Sequence, residues 1–97
     1  MASRQRLKKE IDYVVSDLIL DCFTFINMRA KTENEDVLQI VQESLNLRGD
    51  LLNQVNHPEN KTETQTVKNY FDNIAKVLIY NVDERYIKLG KLINPDA

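Results

Sequence analysis

The chain has little of what catalysis and metal binding usually draw on. Its 97 residues include one histidine, one cysteine, two glycines, two prolines and no tryptophan. Two separated glycines, Gly49 and Gly90, do not make a phosphate-cradling loop. A di-iron carboxylate site needs Glu-x-x-His on facing helices, and the lone His57 sits beside Pro58 with no acid at that spacing. Cys22 has no partner for an intramolecular disulfide and lies in an apolar run, where burial makes a thiol inert. No catalytic residue, cofactor or metal ligand is therefore expected, and the chain is read as a non-enzyme. A lone cysteine fits a reducing, cytoplasmic setting.

Long uninterrupted hydrophobic runs are also missing. Glu10, Asp12, Asp17 and Asp21 break the first apolar stretch, which rules out both a transmembrane span and the apolar core of a leader peptide. The charge is balanced, with 13 Lys and Arg against 15 Asp and Glu and a net charge of -2. Nothing in that balance favours nucleic acid or an anionic membrane as a whole. Apolar residues make up 42% and charged residues 29%, the composition of a folded chain. A length of 97 residues predicts one domain.

What the sequence does have is helical periodicity. Leu7, Ile11, Val14, Val15, Leu18, Cys22, Phe25 and Ile26 recur at steps of three and four, so they share one helical face at about 100° per residue. Val37, Leu38, Ile40, Val41, Leu45, Leu47, Leu51, Leu52 and Val55 form a second stripe, and Val67, Tyr70, Phe71, Ile74, Val77, Leu78, Val82 and Leu89 a third. Thr32 with Glu35, and Thr62 with Gln65, have the spacing of capping boxes. Glu33, Glu35 and Asp36 put negative charge at the positive end of the second helix dipole. Asn56-His57-Pro58 stops that helix. Gly90 suits a helix C-terminus, with Leu92 folding back, and Gly49 points to a close helix–helix approach. The predicted fold is all-α, an up-down-up three-helix bundle with helices over about 3–30, 33–56 and 62–90.

Some residues are left over once the stripes are assigned. Ser44, Arg48, Asn81 and Arg85 fall inside apolar faces, where an unpaired charge is costly. Counting antiparallel from each connection puts Arg48 level with Asp17 and Arg85 level with Glu33 and Glu35, and these are expected to be ion pairs. Leu20 and Phe23 on the first helix, and Tyr80 and Ile87 on the third, lie off the main stripes near one end of the bundle. Gathered together, they form an apolar patch of the kind that marks an interface. The expected function is thus a protein–protein interaction module that self-associates, most simply as a two-fold homodimer, or docks on a partner helix.

Two alternatives belong to other classes. Arg4, Arg6, Lys8 and Lys9 make a basic first turn that offers phosphate contacts to nucleic acid. Arg48 or Arg85 offers an acidic small ligand a pocket. The first reading is preferred because the second helix carries five acids against one base and no short recognition helix is present.

Overall fold

The computed structural model describes residues 4–28, 34–58 and 64–93. These form three α-helices, α1 (Arg4–Met28), α2 (Glu35–Asn56) and α3 (Thr64–Ile93), packed as an up-down-up bundle with no strand among the described residues. The molecule measures 52 × 22 × 17 Å, its length set by the 30 residues of α3 at 1.5 Å each. No helix is long and apolar enough to cross a membrane among the described residues.

The core is built from the three stripes. Leu7, Ile11, Val15, Leu18 and Cys22 from α1 meet Val37, Ile40, Leu51 and Val55 from α2 and Phe71, Ile74, Leu78, Val82 and Leu89 from α3. All are buried, and the fully apolar contents explain why no polar network is needed at the bundle centre. Among the described residues, the polar residue buried in the core is Ser44. Its Oγ donates to Ile40 O of its own helix at 2.7 Å, which satisfies the hydroxyl locally. Asn81 does the same, Nδ2 donating to Val77 O at 2.8 Å.

The two ends of α2 compare differently with expectation. At the start of α2 the N-cap residue is Asn34, which makes no side-chain cap bond. The Val37 amide is met instead by Asp36 Oδ1 at 2.7 Å, while Glu35 and Asp36 supply the negative first turn. Thr32 and Glu33, Thr62, and the Gln65 side chain lie outside the described residues, so both proposed capping boxes do too. At the other end of α2 the expectation holds: the helix closes on His57, whose amide donates to Asn53 O at 3.0 Å, just before Pro58.

Both glycines behave differently from their sequence reading. Gly90 does not end α3. The helix runs on to Ile93, because Leu92 is half-buried against the core and rewards continued winding. Gly49 is exposed, and a methyl added there would meet nothing within 4 Å, so no helix approaches it closely.

The register between helices also departs from simple counting. Tyr70 Oη donates to Gln54 O at 3.1 Å, so Tyr70 lies level with the last turns of α2 and the first turns of α3 project past them. A count begun at the connection sets Gln54 level with residue 66, so α3 is displaced by about one turn relative to α2.

Candidate interaction surface

The side chains singled out by sequence are dispersed. Arg48 pairs with Asp12 rather than Asp17, Nε to Oδ1 at 2.6 Å. The reason is helix phase. Asp12 and Asp17 are five residues apart, about 140° around α1, so Asp12 faces the α2 flank and Asp17 faces α3. Both members of the Arg48–Asp12 pair are around half exposed, which makes it a surface clasp rather than a buried pair.

Arg85 is not paired with Glu35, which is exposed in the first turn of α2; Glu33 is outside the described residues. Its partner is Glu43, at 3.7 Å from Nε to Oε1, with Lys88 Nζ 3.6 Å from the same oxygen. The displaced α2–α3 register accounts for the change. The Arg85 Nη1 group also donates to Asn81 O at 3.0 Å. Glu43 Oε1 and Arg85 Nε are shut off from solvent without a hydrogen bond, so this pair is held by charge and not by a fitted geometry. The shallow recess beside it, about 270 Å³, mixes both signs of charge in Asp36, Glu43, Lys88 and Lys91.

Leu20, Phe23, Tyr80 and Ile87 are all exposed. Helix phase sends them in different directions. Leu20 lies opposite the buried stripe of α1, and Phe23 turns from there toward the α2 flank. Tyr80 and Ile87 lie opposite the buried stripe of α3, and the outward faces of two helices in a three-helix bundle diverge. The basic first turn is equally scattered. Arg4, Arg6 and Lys9 are exposed and Lys8 half-buried, and steps of about 100° point them around the helix rather than along one face.

The structure gathers a different set. Between the C-terminal halves of α1 and α3 lies an open cleft of about 550 Å³. Phe25 and Met28 line it from α1, Leu89 and Ile93 from α3. Met28 is 78% exposed and Ile93 56% exposed, although both belong to the walls of a concave apolar surface. The seam fails to close because the residues facing it are small: Thr24 on one side and Gly90 on the other, where an added methyl would touch nothing within 4 Å.

No family model matches this chain, and none of the curated proteins or solved structures compared with it is significantly similar. The reading therefore rests on the site alone.

One edge of the cleft is polar. Tyr86 Oη donates to Asp17 Oδ2 at 3.2 Å, with the Asp21 carboxylate also close enough to act on the phenol by charge. Burial pushes the phenol well above its ordinary range, and the negative charges of Asp17 and Asp21 push it further. Among the described residues neither carboxylate has a cationic partner; the ion pairs present engage Asp12 and Glu43.

Chemistry elsewhere is muted. Cys22 is fully buried, and burial, then Asp21, raise its thiol above the usual value, so little thiolate forms. His57 is exposed with Nδ1 3.1 Å from Asn53 O. Among the described residues no group of three His, Cys, Asp or Glu comes together as a metal site. The sequence carries a signal for the cleft in two half-stripes. Asp21, Thr24, Phe25 and Met28 follow each other at helical spacing on α1, as do Tyr86, Leu89, Gly90 and Ile93 on α3.

Proposed function

We propose that this chain is a non-enzymatic protein–protein interaction module whose α1–α3 cleft receives an apolar helix from a protein partner. The observation that supports it most is the cleft itself: Phe25, Met28, Leu89 and Ile93 form a concave apolar surface that the fold leaves open. A helix laid into such a groove makes the bundle four-helical and buries apolar area at about 25 cal/mol per Å², from which the cost of association is subtracted. The lone buried thiol suits a reducing, cytoplasmic setting.

The test is an amide-resonance titration with a helical probe peptide carrying Leu at i, i+3, i+4 and i+7 and Gln at all other positions. Shifts are expected at Thr24–Met28 and Tyr86–Ile93 and should be absent in Met28→Glu, which lies on the exposed wall and spares the core. A titration that leaves those two segments unmoved rejects the reading. Sedimentation of the protein alone, run alongside, reports whether a second copy fills the cleft instead.

A further inference from the structure

Building on that reading, we infer that the partner helix is cationic, that it runs antiparallel to α1 and α3, and that its basic residues lie in its C-terminal half. Two independent features of the cleft converge on this chemistry.

The first is the charge along its edge. Asp17 and Asp21 lie one turn apart on α1, flanking the apolar walls, and the Tyr86 hydroxyl donates to Asp17. From Glu10 to Met28 the α1 sequence contains no Lys or Arg, so among the described residues this stretch of α1 brings no cation of its own to the acidic flank of the groove. A Lys or Arg that buries its stem against Phe25 and brings its head to these carboxylates satisfies both the apolar and the polar parts of the surface.

The second is the direction of the helices. α1 and α3 are parallel, so both C-terminal ends lie at the open mouth of the cleft; α3 carries Lys91 in its last turn, whereas the last turn of α1 has no basic residue. A fourth helix that enters antiparallel places its positive N-terminal end beside the α1 end. Asp17 and Asp21 then stand about 10–16 Å further in, at 1.5 Å per residue from Met28. They face the later turns of the guest, where Lys and Arg also suit its own dipole.

A second copy of this chain is a poor guest. Its basic first turn belongs to the helix that carries Leu7 and Ile11 into the core. The outward face of its α3, with Tyr80 and Ile87, carries Asp83 and Glu84 between Lys76 and Lys91, so it offers mixed charge rather than a basic C-terminal half.

The experiment uses four 18-residue probes with the same apolar pattern: all-Gln, Lys in the C-terminal half, Lys in the N-terminal half, and Glu in the C-terminal half. In 20 mM salt the C-terminal Lys probe is expected to bind about tenfold more tightly than the Gln probe, as two or three exposed ion pairs allow. It should also exceed the N-terminal Lys probe, and the Glu probe should be the weakest. In about 0.5 M salt the advantage should shrink to under about threefold. Asp17→Asn with Asp21→Asn, both at exposed positions, should bring the ratio of C-terminal Lys-probe to Gln-probe affinity in 20 mM salt down to about one, both probes being measured on the same variant.

Equal binding of the Lys and Glu probes overturns the inference but leaves the apolar docking reading intact. Binding of Lys probes without shifts at Phe25 and Met28 overturns the inference as well, because the charge is then acting elsewhere. Failure of the Gln probe together with failure of the Lys probes removes both. A concentration-dependent dimer that loses the Thr24–Met28 shifts on dilution names the second copy as the occupant and also overturns the inference.

Discussion

α1 makes two seams, and they end differently. Against α2 its flank is closed: Ile11, Val15, Leu18 and Cys22 pack with Val37, Ile40 and Leu51, and the Arg48–Asp12 clasp crosses the outside. Against α3 the same helix starts equally well, with Tyr86 reaching Asp17, and then opens into the cleft within two turns. Both seams use the same apolar alphabet. What separates them is side-chain size at two positions, Thr24 and Gly90, where the groove needs bulk and the sequence supplies almost none. Composition thus selects a bundle, while the placement of a few small residues decides which seam is left to another molecule.

The sharpest way to break the comparison is to truncate one apolar residue on each side of it. Leu18 is fully buried at the centre of α1, so Leu18→Ala should cost about 3 kcal/mol from lost transfer energy and the cavity left behind. Met28, equally apolar but on the wall of the open cleft, should cost under about 0.5 kcal/mol as Ala, in line with exposed substitutions. Urea unfolding of the two variants gives the ratio. Comparable losses would show that the cleft is filled in solution and that the two seams are alike.

The glycines provide a finer instrument. Each sits inside a helix with nothing near its Cβ position, so Gly49→Ala and Gly90→Ala should each stabilise by about 0.5–1 kcal/mol through backbone entropy alone. Larger residues separate them. Gly90→Leu adds apolar bulk to the cleft and should retain or increase the gain, whereas Gly49→Leu adds only an exposed side chain. Both are read from thermal midpoints. A loss at Gly90→Leu would mean that something already occupies the space beside it.

Much of the fold was legible in sequence for a physical reason. A stripe such as Leu7, Ile11, Val15, Leu18 and Cys22 is a one-dimensional signal with a single helical solution, and the helix bounds implied by the three stripes lie within three residues of those described. The α3 end was misjudged because Gly90 permits a left-handed turn without requiring one, and the half-buried Leu92 decided for helix. The site was much less legible. Whether Arg48 meets Asp12 or Asp17, and whether Leu20 and Ile87 share a face, depends on the azimuth of one helix relative to another. That quantity emerges only after packing. Leu20, Phe23, Tyr80 and Ile87 were correctly read as lying off the stripe, yet being off the stripe leaves about two thirds of each helix circumference open. The concave pair of half-stripes around Thr24 and Gly90 is found only when α1 and α3 are set side by side.

The smallest expected effect concerns the hydroxyl that holds the α1–α3 seam just below its opening. Tyr86→Phe deletes one exposed hydrogen bond to Asp17, so at neutral pH it should cost at most about 1 kcal/mol. Its pH dependence carries more information. Burial, with Asp17 and Asp21 beside it, raises the phenol in the folded protein above its value in the unfolded chain. The folded state therefore holds this proton more tightly than the unfolded one. The linked stability is fully present below the unfolded phenol value near 10 and is lost as pH rises from there toward the folded value. Between about pH 9 and pH 11.5 the native chain should lose stability faster than Tyr86→Phe, and the difference between the two isothermal unfolding curves isolates this one group from Tyr13, Tyr70 and Tyr80. Parallel curves would place Tyr86 in ordinary solvent, away from both carboxylates. The α1–α3 seam would then have to open one turn earlier than the cleft described here, and Asp17 and Asp21 would be left with no hydroxyl between them.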